Sequence, residues 1–390
     1  MSVVFEDSVI SKGRFRCMSN RCDLNVTDTD SGVQSHAFEL YVLNDNATES
    51  LLAAFQVVKD QFGNFYKDFS SIIQRFLSYD FLVPSIADGL QPATLSERRF
   101  LIKINGSIEL VIDANNSFLS IQDWRLSEWS EWLIAEGDAN KKFHLNNYNN
   151  NIELGKSFVL HSTLLDNSNL RGYKVTTYDA TDTPIGGGTI LATFPPFYSL
   201  QFSTRWFAQV GTKDLIDYFG ASFLDGVFKY KVEVEFNDLS IASLPVWLTI
   251  VDYCGKYADV RLHWLNQYGG FDAFDFTKKA IVTQSVQRNT YKNKPTTISA
   301  GLINDSIQHN TTNYIKQSNK VVINSDWCSD SEAISIDSLI SSRLIFAEIG
   351  GQFYGVDLLT TSMVRKNSNN DTLFNYELEI SFQDDTFTTL

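Results

Sequence analysis

The stretch Val251 to Phe276, VDYCGKYADVRLHWLNQYGGFDAFDF, constrains the fold more than any other part of the chain. Val260, Leu262 and Trp264 alternate with Arg261 and His263. That is the period-two pattern of a strand with one buried and one wet face. Gly269-Gly270 then imposes a turn, and Phe271, Phe274 and Phe276 follow it. The spacing predicts an aromatic corner, with Trp264 and the three Phe residues in one core. An ordinary β-domain core would carry the same pattern, because strands and cores are both rich in aromatics.

A second alternation closes the chain. Tyr376, Leu378, Ile380 and Phe382 alternate with Glu377, Glu379 and Ser381, which again reads as a half-buried strand. A strand so near the end needs a sheet to hold it. Residues 246–390 are therefore expected to form one β-rich module.

One segment has a different period. Leu51, Phe55, Val58, Phe62, Phe65, Phe69, Ile72 and Phe76 recur at spacings of four and three. This heptad-like seam predicts a long α-helix over about residues 47–79, capped by Asn46 with Glu49 and weakened at Gly63. Phe55, Phe62, Phe65, Phe69 and Phe76 are then candidates for an assembly seam or a core. Phe is uncommon at the seam of a two-stranded coiled coil, so the expected setting is a helix laid on a sheet or packed against copies of itself.

Elsewhere short strand runs alternate with turns. Phe100 to Ile104 and Ile108 to Ile112 flank Asn105-Gly106, the strongest short hairpin signal in the sequence. Trp124, Trp129 and Trp132 cluster in WRLSEWSEW. They are either core residues or an exposed set that contacts a partner or a glycan. An Asn-rich polar stretch over 136–156 reads as a loop or boundary. It separates an N-terminal α+β domain (1–135) from a β-rich domain (157–245) and the C-terminal module. Phe158, Tyr173, Thr189 and Lys229 each begin an expected strand, and Asp214 to Phe219 an expected helical turn.

Chemistry is harder to find. The chain has 390 residues, a net charge of -14 and no Lys/Arg run, which argues against nucleic acid as a partner. No apolar stretch is long enough to span a bilayer, and the first residues lack the basic and apolar regions of a signal peptide. Synthesis in a reducing cytoplasm is expected. Cys17 and Cys22 could form half of a metal site, but Cys254 and Cys328 stand without nearby His, so reduced thiols and no metal are expected. Asp28 to Gly32 lacks the distal Glu of a calcium loop. The five His residues have no ligand spacing, and no nucleophile elbow or Cys–His pair occurs. No enzyme and no cofactor are expected.

The phrase HWLNQYGGFDAFDF, with Trp264, Asn266, Gly269, Gly270, Asp272 and Phe274 in place, resembles one found in uncharacterised structural proteins of tailed phages infecting Bacteroidetes. The similarity runs on through SDWCSDSEAISIDSLISSRLIFAEIGGQFYGVDLL, with Glu332, Ile336 and Leu339 on a short helix ended by Ser341-Ser342. It closes on Lys366, Asn370-Asp371, Leu373 and Asn375-Tyr376 before a last strand. It is confined to about residues 250–390. The resemblance implies a virion component of the tail, baseplate or neck, made in the host cytoplasm. Its partners would be copies of itself in a ring and other virion proteins. The alternative expectation is a module that binds host surface glycan. The expected fold is mainly β, built as sandwich or barrel-like modules, with the one long helix.

Overall fold

In the computed structural model the alternating runs Val260–Leu265 and Phe374–Phe382 are both paired strands. The structure describes residues 2–5, 15–17, 23–27, 32–43, 48–79, 90–92, 95, 97–116, 133–134, 149–164, 170–186, 188–193, 205–241, 243–252, 256–292, 298–299, 302–303, 310–328, 330–350, 352–360, 374–382 and 386–389. The chain is mostly β-sheet, in several sheets with few and short helices. It divides into two compact units. The first is Met1–Asp252 with Leu265–Asp272, and the second is Tyr253–Trp264 with Ala273–Leu390.

The first unit opens with β1 (Ser2–Phe5), β2 (Phe15–Cys17), β3 (Asp23–Thr27), β4 (Ser35–Leu43), β5 (Glu49–Val58) and β6 (Asn64–Asp68). A single helical turn, α1 (Ser70–Ile73), precedes β7 (Leu90–Pro92), β8 (Glu97–Ile104) and β9 (Ile108–Asn115). Sheet β1-β3-β6 faces sheet β2-β9-β8-β4-β5. Leu24, Val26 and Phe65 from one side meet Phe38, Leu40, Phe100 and Ile102 from the other, all fully buried. The Asn105-Gly106 turn joins β8 to β9 with φ 49° and 67°, the left-handed pair of a type I′ hairpin.

The expected long helix over 47–79 is absent, and strands stand in its place. Asp60 Oδ1 accepts hydrogen bonds from the backbone of Phe62 and Asn64, both at 2.8 Å, and Gly63 takes φ +90°. The chain therefore turns at the point where the helix needed to continue. A step of four would keep two residues on one side of a regular strand, but a bulge in the β4–β5 pairing at Leu52 turns Leu51 outward, 55% exposed, and Leu52, Phe55 and Val57 inward. Pairing of β5 along β4, from Ser35 opposite Val58 to Leu43 opposite Glu49, settles the choice.

The same unit continues with β10 (Leu133–Ile134), β11 (Asn149–Glu153), β12 (Val159–Leu164), β13 (Leu170–Tyr178), β14 (Thr189–Thr193) and β15 (Arg205–Gln209). Helix α2 (Thr212–Phe219), β16 (Lys229–Phe236) and β17 (Val246–Val251) complete it. Two sheets form, β10-β12-β15-β7 and β11-β17-β16-β13-β14. Within the 136–156 stretch expected to be a loop, β11 is a strand that pairs with β17. Tyr173 on β13 is fully buried, and its hydroxyl hydrogen-bonds Ser162 on β12, tying one sheet to the other.

The second unit carries β18 (Val260–Leu265) up to Trp264, β19 (Phe271–Phe276) from Ala273, β20 (Ile281–Lys292), β21 (Ile298–Ser299), β22 (Leu302–Ile303) and β23 (Asn310–Cys328). Helix α3 (Asp330–Ile340), β24 (Ile345–Ile349), β25 (Gln352–Leu358), β26 (Phe374–Phe382) and β27 (Thr386–Thr389) follow. The sheet order is β19-β18-β24-β25-β26-β23-β20, with β27 also against β23. The alternation at the chain's end is β26, with Tyr376, Leu378 and Ile380 buried. Strand β23 has two roles. Its last third pairs with β26 in the module, while its first two thirds form a ribbon with β20 and β27. Every residue of β20 is exposed.

Candidate functional site

The hairpin β18–β19 is where the distinctive sequence phrase becomes geometry. Its turn is built by one side chain. Asn266 Oδ1 accepts the backbone N–H groups of Tyr268 and Gly270, both at 3.0 Å, while the Asn266 N–H donates to Gly270 O at 2.8 Å. Gly269 sits at φ +84°, in the left-handed region that favours glycine. Trp264 is fully buried, and its Nε1–H donates to Ser338 Oγ at 2.8 Å on α3. Ser338 Oγ–H in turn donates a hydrogen bond to Ser335 O at 2.7 Å. The indole is thus both core and anchor for the helix.

Phe276 joins Trp264 in a cluster with Leu262, Leu339, Ala347, Leu378 and Ile380, and half-buried Phe274 packs against it. Phe274 and Phe276 meet edge to face at 5.2 Å. Phe271 is buried and lies 6.2 Å from the His161 ring, which stacks on Phe207. The structure therefore gathers Trp264, Phe274 and Phe276 in one core, whereas Phe271 belongs with the first unit.

The expected wet face of β18 is dry. All six of its residues are buried, Arg261 and His263 included. Arg261 Nη1 donates to Asp275 Oδ2 at 2.6 Å, and its Nε lies 3.7 Å from Glu348 Oε2. His263 Nε2 is 2.8 Å from the same Glu348 oxygen, and the imidazole meets Phe353 edge to face. Burial holds His263 below its usual range. The Glu348 hydrogen bond opposes this, and the Arg261 charge adds to it. A neutral imidazole donating Nε2–H to an ionised Glu348 satisfies both groups. This network ties β18, β19 and β24 together. Arg261, His263, Asp275 and Glu348 are all buried, at 0–5% exposure. The network's chemistry is therefore that of a buried ionic clamp, which fixes register more than it adds net stability. Spacing could not reveal it, because Glu348 lies 85 residues from His263.

A second clamp sits at the start of α2. Asp214 accepts from Ser157 Oγ at 3.0 Å, Phe158 N at 3.2 Å and Gly211 N at 2.9 Å. Burial pushes its carboxyl up to about 6, against the pull of these three donors. A Cβ on Gly211 would stand 2.4 Å from both Lys156 O and Phe158 N, so only glycine fits here.

The candidate Phe seam is dispersed. Phe65 and Phe69 are fully buried in the first sandwich, and Phe55 packs half-buried beside them. Phe62, at the Asp60 turn, is 77% exposed, and Phe76 is exposed. They form no common stripe. Trp124, Trp129 and Trp132 lie outside the described residues, as do Cys22, Cys254 and the side chain of Cys17. Cys328 is buried in a cluster with Ala333, Ile336 and Tyr376. Among the described residues no group of three or more His, Cys, Asp or Glu is placed to hold a metal, and no helix is long and apolar enough to cross a membrane.

No family model matches the chain, and no curated protein does. Two solved structures, each titled marsupial T cell receptor, align over 82% of this chain and 96% of theirs. The identities are 8% and 10%, with TM-scores of 0.19 and 0.17. That degree of likeness carries no argument about fold or role.

Proposed function

We propose that this chain is a structural component of a phage virion, in the tail, baseplate or neck, and that it works by assembling into a ring. The observation that carries this reading is how the shared phrase is used. Asn266 and Gly269 build a turn, Trp264 anchors α3, and Phe274 and Phe276 fill the core beside it. Residues that define the resemblance are spent on turn and core structure, as a subunit that works by assembly requires. Electron microscopy of the purified full chain tests this. Closed rings of uniform diameter are expected, and a field of dispersed single subunits across the accessible concentration range would refute it.

One observation favours the alternative, a glycan-binding module. Trp327 is 66% exposed and stands opposite Asn375 in the ladder. Asn375 and Asn324 exchange amide hydrogen bonds at 3.1 and 3.2 Å on an exposed face. A flat indole beside amide groups is the chemistry that stacks on a sugar ring. Saccharide binding by the native protein that disappears in Trp327→Ala would favour this second reading.

A further inference from the structure

The β20–β23 ribbon stands out in both exposure and charge. Twelve residue pairs join the two strands, from Ile281 opposite Val322 to Lys292 opposite Asn310, with a register shift between Asn289 and Thr290. At about 3.3 Å per residue the ribbon reaches roughly 40 Å. Ile281, Val282, Val286 and Tyr291 on β20 are 39–65% exposed. β20 is also the terminal strand of its sheet among the described residues. An exposed edge strand rich in β-branched residues is a template for pairing or docking. β23 gains a third strand at Tyr314–Gln317 from β27 and from Lys320 on from β26; elsewhere the ribbon is two-stranded, an arrangement marginally stable in water.

Charge selects the occupant. Residues 277–322 hold seven Lys/Arg and one acidic residue, Asp305. The remainder of the chain holds 25 Lys/Arg against 45 Asp/Glu. A basic arm on an otherwise strongly acidic molecule is complementary to the molecule itself. We infer that the β20–β23 ribbon is an assembly arm that docks on the acidic surface of a second copy of this chain. Arm and acceptor are different surfaces, so the contact is heterologous, and repeated contacts of that kind make a ring when the rotation closes and an open filament when it does not. The inference rests on the self-assembly reading above and supplies its contact.

The test uses the full chain with Arg288→Glu and Lys292→Glu, two exposed positions on β20. Self-association of the wild type should weaken with added salt. In the double variant it should weaken by an order of magnitude or more, with far-UV circular dichroism and melting temperature unchanged. A photo-crosslinking residue at Val286 should link to a second copy. A double variant that assembles like the wild type, with no inter-copy crosslink, overturns the arm and leaves the assembly reading standing. A wild type that stays monomeric overturns both. A wild type that stays monomeric and binds single-stranded DNA through Arg288 and Lys292 would assign the arm to nucleic acid instead.

Discussion

The indole of Trp264 and the hydroxyl of Ser338 meet at 2.8 Å, joining β18 to α3 across 74 residues of sequence. Two changes separate what this contact does. Trp264→Ala opens a cavity in a fully buried core and should cost about 3–5 kcal/mol. Ser338→Ala keeps the packing but strands a buried N–H, at about 1–3 kcal/mol. Urea unfolding followed by circular dichroism should rank them in that order. Equal costs would mean that the hydrogen bond, and not the packing, holds the helix.

Phe62 and Phe65 are three residues apart and have opposite fates, 77% exposed and fully buried. Phe65→Ala should lower stability by about 3–5 kcal/mol, and Phe62→Ala should stay within about 0.5 kcal/mol. A helical seam would make both costly, so similar melting losses in the two variants would contradict the hairpin.

This pair also shows how far the sequence was legible. Spacings of four and three describe a helix seam, yet they also arise from strands interrupted by a bulge at Leu52 and a turn at Asp60. The deciding signals were Asp60 and Gly63, which build the turn, and the register of β5 on β4. Where turn chemistry is unmistakable, as at Asn105-Gly106, sequence and structure agree. Period-two alternation likewise located β26 and the core residue Trp264. It failed for Arg261 and His263, since a polar residue reads as solvent-facing unless its distant partners, Asp275 and Glu348, are known.

Gly211 and Asp214 set the entry to α2. Gly211→Ala places a Cβ against backbone atoms at 2.4 Å and should destabilise the first unit by several kcal/mol, read as a drop in melting temperature. A melting temperature equal to that of the wild type would show that the loop can move aside.

Asp214 also gives a pH dependence. Its folded pKa, about 6, lies above the usual carboxylate value of about 3.9, so its contribution to stability is full below about pH 4 and is lost as pH rises through about 6. Asp214→Asn mimics the protonated side chain. It should match the wild type at pH 4 and lose this share of the slope between pH 4 and 7. His263 acts in the opposite sense. Its lowered pKa means stability that is present above about 6.5 and lost on acidification. His263→Gln should remove that acid-side loss. Melting curves across pH for the two variants check both signs.

On β26, Leu378 and Ile380 are fully buried beside Trp264. Leu378→Asp with Ile380→Asp buries two unpaired carboxylates and should leave the protein insoluble or unfolded over the second unit. Glu377→Gln, on the exposed face of the same strand, should be silent. A soluble double variant with normal melting would make β26 dispensable.

Mass photometry of the purified full chain, near 44.2 kDa per copy, tests the assembly reading most directly. The account predicts one discrete multiple of that mass, on the order of six or twelve copies as in closed cyclic assemblies, which dissociates when Arg288 and Lys292 are reversed in charge. A single peak at the mass of one copy at every concentration would contradict it.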